Sequence, residues 1–247
     1  MTSPTVAVIR TESRLFARDR LALFWILLFP SLLLMVLGAI PAFREPNPDY
    51  GGRALIDVYV PVAVLLSMIM ASIMTMPQTL TGYRESGVLR RLGTTPARPD
   101  SILLGQVLVH AAAVAASTVI AVALGRVVFG TPLPESLVGY VVAYVLALAV
   151  SLGIGAAITA VSPNAKTGQV VGMVVFFPSM FTAGVYVPIE YFSGTARDII
   201  SFTPYGAASN ALNDAAGGAF PQLVDLAVMG GWTVVLYLIA VRAFRWE

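Results

Sequence analysis

Cysteine is absent from this chain, which excludes disulfide frameworks, thiol nucleophiles and thiolate metal sites. Charge is scarce too: Asp, Glu, Lys and Arg make up 11% of the residues, against roughly 25% in a typical soluble domain. Lysine occurs once, at Lys166, and histidine once, at His110. A lone histidine supplies no convergent His/Asp/Glu or Ser/Lys set, so an intramembrane enzyme is not the expected class.

What fills the chain instead is apolar. Hydrophobic residues account for 57% and gather into six stretches, 21–43, 58–82, 102–125, 136–161, 167–188 and 226–241, the last read as beginning near Gln222. About 20 apolar residues cross a hydrocarbon core of roughly 30 Å as a helix. The runs are continuous rather than alternating, which favours a helical bundle over a closed barrel. None of the six contains Asp, Glu, Lys or Arg. Carriers coupled to ions hold carboxylates or paired charges at depth, so an ion-coupled carrier or channel is the least favoured reading. His110 is expected to be satisfied by a hydrogen bond between helices. Segment 160–167, AVSPNAKT, has the spacing of a phosphate loop but lacks both glycines and a preceding strand. It reads as a short loop with Lys166 reaching for the interface.

The cations sort by side. With the N-terminus inside, the inner segments hold Arg10, Arg14, Arg18, Arg20, Arg84, Arg90, Arg91, Arg98, Lys166, Arg242 and Arg245, and the outer ones only Arg44, Arg53, Arg126 and Arg197. That asymmetry predicts both termini in the cytoplasm. The net charge of +2 therefore reports topology and lipid headgroups, not nucleic acid. Arginine in place of lysine, with abundant Ala, Val and Gly, suggests coding bias in a GC-rich bacterium, whose inner membrane is then the expected location.

Two charged segments stand out. Near the start, Val6, Ile9, Ser13, Phe16 and Ala17 share one side of a helical wheel while Arg14 and Arg18 share the other, predicting an amphipathic interfacial helix within 1–20. Between the second and third stretches lies TLTGYRESGVLRRLGTTPARPDS, 79–101. Here Val88, Leu89 and Leu92 form one side of a short helix, and Arg84, Arg90 and Arg91 the other. Glu85 falls on the apolar side, so it should find a donor such as an arginine or backbone amides. Pro96 ends this helix. Elsewhere, Ser151, Gly153, Gly155, Ala156 and Ala157 in the fourth stretch predict close helix packing, and Pro30 and Pro178 predict kinks.

The run Tyr83-Arg84-Glu85-Ser86-Gly87-Val88-Leu89-Arg90-Arg91-Leu92, followed by Thr95-Pro96 and Ile102-Leu103-Leu104-Gly105, resembles the signature of type-2 ATP-binding-cassette permeases, approximately R-E-x-G-T-L-R-R-L, T-P, I-L-L-G. A second likeness lies in Phe177-Pro178-Ser179, Val187-Pro188-Ile189-Glu190 and Thr203-Pro204-Tyr205. The sequence departs in Val88, where threonine is common, and in Ser193-Gly194-Thr195, where Leu-Pro is frequent. The resemblance implies an all-α integral membrane protein forming one domain over 1–247. It would have six transmembrane helices, the interfacial helix, a cytoplasmic coupling helix within 79–101, and external re-entrant helices within 188–222.

The resemblance also implies partners: a second permease, identical or related, and two copies of a separate cassette ATPase, with membrane lipids around them. The chain would carry no cofactor of its own, ATP and magnesium belonging to the ATPase. Contacts to that subunit are expected from Arg84, Glu85, Val88, Leu89, Arg90, Arg91, Leu92, Thr95 and Pro96, with Arg14, Phe16 and Arg18. A translocation path is expected along Met68, Met70, Met74, Phe176, Phe177, Met180 and Phe181, whose thioethers and rings suit an adaptable apolar surface. The expected function is the non-catalytic subunit of an exporter for small hydrophobic or amphipathic drug- or antibiotic-like cargo. Export of a lipid-linked glycan or glycolipid is the alternative.

Overall fold

The computed structural model describes residues 4–88, 91 and 100–243, and the described residues are overwhelmingly helical. In chain order the helices are α1 (Pro4–Phe16), α2 (Arg20–Gly38), α3 (Leu55–Glu85), α4 (Ser101–Phe129), α5 (Leu137–Val161), α6 (Ala165–Thr182), α7 (Gly194–Ser201), α8 (Pro204–Ala216) and α9 (Leu223–Ala243). Among the described residues, α2 to α5 and α9 are long and apolar enough to cross a membrane. The fifth expected span is α6, whose 18 residues reach about 27 Å. It stops at Thr182, short of the expected 188, because the chain turns at Gly184, whose φ of +83° is the left-handed region open to glycine. The protein is an all-α integral membrane protein.

Proline chemistry shapes two of the spans. In α2 the turn Phe24–Leu28, and in α3 the turn Met70–Thr75, widen to π geometry just ahead of Pro30 and Pro77. A proline lacks its N–H and presses on the carbonyl four residues back. A wider turn absorbs both faults. Pro178, expected to kink its helix, sits inside α6 with no π turn ahead of it.

The pillar of the bundle is α3. Of its most apolar stretch 89% is buried, against 33% in α2 and α4 and 17% in α9. From Val58 to Ile73 it has no polar face beyond small hydroxyls and Tyr59, and such a helix is covered on every side. Its neighbours are α2, α4, α5, α6 and α8. Some buried hydroxyls return to carbonyls of their own helix, Ser67 to Val64 and Ser72 to Met68, both at 2.7 Å, and so satisfy their donors without a second helix. The widened turn of α3 lies between two glycines. Gly155 of α5 meets the Ser72 carbonyl so closely that a Cβ would collide with it, and Gly172 of α6 would bring one to 3.2 Å from the Ile73 carbonyl. The small residues expected to permit close packing do so here.

After α6 the chain folds back into the bundle. Thr203 accepts a hydrogen bond from the Gly206 amide at 3.1 Å, and Pro204 is the first residue of α8, a standard way to start a helix. Tyr205 is fully buried with its hydroxyl 3.4 Å from that of Ser72, midway along α3. At the other end of α8 the Asn213 carbonyl is 3.4 Å from Arg53, just ahead of α3. The helix therefore dips from one end of the bundle toward its middle, as re-entrant helices do. The last span, α9, begins at Leu223. The last span therefore takes in a buried carboxylate that the expected stretch from 226 leaves out: Asp225 occupies the first turn of α9 and is 5% exposed.

Candidate functional site

The arginine-bearing end of the bundle is organised by the last three residues of α3. Successive side chains on a helix point about 100° apart, and Tyr83, Arg84 and Glu85 use that divergence to reach three neighbours. The Tyr83 hydroxyl donates to Glu12 Oε2 of α1 at 3.0 Å. Arg84 Nη1 donates to the Ser162 carbonyl just after α5. Glu85 accepts from the Ala165 amide at 2.9 Å, the first N–H of α6. There it works beside Asn164, whose side chain accepts from Thr167 at 2.8 Å, so a carboxylate and an amide oxygen together cap the positive end of α6.

Around Glu12 the packing is tight. The residue is 6% exposed although it sits on a helix whose other face carries Arg10 and Arg14 in the open. Gln106 Nε2 of α4 donates to the same Oε2 as Tyr83. Room for the carboxylate exists because residue 105 is glycine; a Cβ there would come within 3.1 Å of Glu12 Cγ. Burial pushes the Glu12 pKa up from the usual carboxylate range, and the hydrogen bonds from Tyr83 and Gln106 pull against that rise. One turn further, Phe16 lays its ring edge-on to His110 with centroids 5.4 Å apart. His110 does not bond across helices as expected: Nδ1 lies 2.8 Å from the Gln106 carbonyl of its own helix, and Nε2 is buried with no hydrogen-bond partner among the described residues.

These contacts set the level of α1. Thr5 lies beside Ser101, Ile9 and Glu12 beside Gly105, Phe16 beside His110, and Gly38 beside Phe129. So α1 and α2 run alongside α4 in the same direction. The 19 residues of α2 rise about 28 Å, one hydrocarbon thickness, and match the upper part of α4. The first turns of α4, and the end of α3 that meets them, extend past that level next to α1. With 31 residues, α3 rises about 46 Å, well beyond what a bilayer core requires.

The expected contact residues divide accordingly. Arg84 and Glu85 make the ties described, Val88 is half-buried, and Arg91 is exposed; Leu89, Arg90, Leu92, Thr95 and Pro96 lie outside the described residues. Glu85 is exposed rather than enclosed among apolar neighbours, because α3 ends there and the side chain leaves the bundle to cap α6. On α1 the inward edge is Thr5, Val8, Ile9, Glu12 and Phe16, while Val6, Ser13 and Ala17 face out, a correction to the predicted apolar side. Arg14 and Arg18 are exposed as expected, but Phe16 is committed to His110. Glu12, Tyr83 and Gln106 were not anticipated as a group. The wheel does place Glu12 three and four residues from Ile9 and Phe16, on one stripe with them.

The path residues divide too. Met68, Met70 and Met180 are buried in the chain's own core, which removes them from any surface a passing molecule touches in this conformation. Met74 and Phe176 are half-buried at its edge. Phe177 and Phe181 are exposed, on one face of α6 with Val170, Met173 and Val174. Near this face an apolar groove of about 520 Å³ runs between α5, α6, α8 and α9, lined by Ile154, Ile158, Val171, Val175, Tyr205 and Trp232 among others. At the end opposite the arginines lies a polar cavity of about 780 Å³. Five carboxylates line it (Glu135, Glu190, Asp198, Asp214 and Asp225) against the guanidiniums of Arg53 and Arg197. Burial raises the Asp214 pKa, opposed by a hydrogen bond from Gln222 and by the two arginines.

The family model of ABC-2 type transporters matches residues 4–215, nearly the whole span from α1 to the end of α8, and the chain belongs to that family. It is thus a permease component, and membership implies a partner carrying the ATP-binding cassette. No curated protein matches the chain.

Proposed function

We infer that the chain is the permease of an ATP-driven exporter in a bacterial inner membrane, with its arginine end and both termini in the cytoplasm. Two permeases, identical or related, work with two copies of a separate cassette ATPase docked at that end. The cargo is small and hydrophobic or amphipathic, of the drug or antibiotic type. One observation carries the mechanical part of this reading: Tyr83, Arg84 and Glu85, at the threshold of the α3–α4 connection, are hydrogen-bonded to α1, to the end of α5 and to the start of α6. A push that reaches the end of α3 is shared through these bonds with α1, with the end of α5 and with α6. ATP and magnesium act on the partner; this chain converts the displacement into rearrangement of its spans.

The cargo assignment is supported by the apolar groove beside Phe177 and Phe181, which has the size and lining of a site for a molecule of drug dimensions. Co-purification with the cassette ATPase and reconstitution into vesicles tests the whole reading. ATP-dependent accumulation of an apolar fluorescent dye is expected, and it should vanish when the phosphate-loop lysine of the ATPase is replaced. Failure of the two subunits to associate, or dye movement indifferent to that replacement, would refute it.

A further inference from the structure

The acceptor that receives Tyr83 on α1, Glu12, is also the one strongly buried charged residue of that helix. With 13 residues, α1 is too short to hold its helix alone in water and depends on tertiary contacts. Its docked edge is narrow, and only Glu12 on it bonds to two other helices at once, taking Tyr83 from the end of α3 and Gln106 from the start of α4 on a single oxygen. A carboxylate is costly to enclose unless donors converge on it. The convergence here is built into the backbone as well, since Gly105 leaves the space that Glu12 occupies. The cluster lies where α3 and α4 extend past the level of α2, beside the segment that joins them.

We propose that Glu12 is a positioning residue: it pins α1 to the ends of both α3 and α4, so that displacement of the α3–α4 connection moves α1, α3 and α4 as one body and carries α2 with them. The pin rests on the exporter reading for its purpose but not for its existence. Glu12 needs only to accept; its amide analogue still offers an oxygen to Tyr83. Removing either Glu12 or Tyr83 cuts the same link, so the two losses should not add.

The test uses Glu12→Ala, Glu12→Gln, Tyr83→Phe and the Glu12→Ala/Tyr83→Phe double variant, each assembled with the cassette ATPase in nanodiscs and vesicles. Glu12→Ala and Tyr83→Phe should keep assembly and ATP hydrolysis yet lose most of the transport obtained per ATP, and the double variant should be no worse than Glu12→Ala. Glu12→Gln should restore the ratio. Hydrogen exchange on residues 4–16 should accelerate about tenfold or more in Glu12→Ala, as expected when a charged acceptor is lost, and stay near wild type in Glu12→Gln. An unchanged transport-to-ATP ratio in Glu12→Ala, strictly additive losses, or a Glu12→Gln variant as defective as Glu12→Ala would each overturn the proposal. If the wild-type complex neither assembles nor transports, the exporter reading fails instead. The exchange measurement on the chain alone then still decides whether the pin exists, and unaltered protection of 4–16 in Glu12→Ala would overturn it.

Discussion

Glycine carries two opposite meanings in this bundle. At position 155 the missing Cβ is a requirement, because the Ser72 carbonyl of the widened α3 turn stands where the side chain would begin. At position 231, on the outer helix α9, nothing lies within 4 Å of the place a methyl group would take, and the glycine only weakens the helix. Gly155→Ala is therefore expected to lose about 1–3 kcal/mol through forced separation of α3 and α5. Gly231→Ala should be neutral or gain up to about 1 kcal/mol from propensity. Thermal unfolding of the two variants in detergent checks the contrast: a midpoint drop for Gly231→Ala as large as that for Gly155→Ala would show that the close approach at Ser72 is not the cause. Tyr205 belongs to the same contact, since its hydroxyl rests against Ser72 on the turn that Gly155 admits.

Among the elements, α6 shows how an end can serve as a joint. Two groups cap it, Asn164 from its own chain neighbourhood and Glu85 from the end of α3. Either loss should cost about 0.5–2 kcal/mol of local helix stability, but only Glu85→Ala cuts the tie between two spans. In the reconstituted complex, Asn164→Ala is expected to lower thermal stability while leaving transport per ATP unchanged, and Glu85→Ala to lower both. Equal coupling in the two variants would reduce Glu85 to a cap. Much of this architecture is legible in the sequence because apolar run length is a local property: the spans, the tight packing at Gly155 and the need of Glu85 for a hydrogen-bond donor all follow from nearby residues. What escaped depends on partners far along the chain. Which side of α1 docks is decided by α4, so Val6 and Ser13 were placed wrongly and Glu12 was overlooked. Lipid-facing and core surfaces are both apolar, so no periodicity separates the buried Met68 and Met70 from the exposed Phe177. The proline positions foretold a disturbance but not its form, a π turn at Pro30 and none at Pro178.

For the molecule as a whole the decisive quantity is where charge can be taken up. Among the described residues the two strongly buried carboxylates, Glu12 and Asp225, stand at opposite ends of the bundle. Glu12 is enclosed by Tyr83 and Gln106, whereas Asp225 is held by Asn210 at 3.5 Å and borders the polar cavity. Between them, among the described residues, the spanning helices offer His110, which faces Phe16 near the Glu12 end and bonds back to its own helix. A proton relay needs titratable groups or ordered water within hydrogen-bond reach of one another, and a stretch of Leu, Val, Ala and Met separates these. On the exporter reading, work arrives mechanically, through the end where Tyr83, Arg84 and Glu85 are tied down. Dissipating the proton gradient with an uncoupler should accordingly leave ATP-driven transport in vesicles unchanged, and Asp225→Asn should transport with the same pH profile as the parent. Transport that collapses with the gradient while ATP hydrolysis continues, or a pH profile that shifts in Asp225→Asn, would mean that the cavity end takes part in the energetics and that the push from the arginine end is not the only drive.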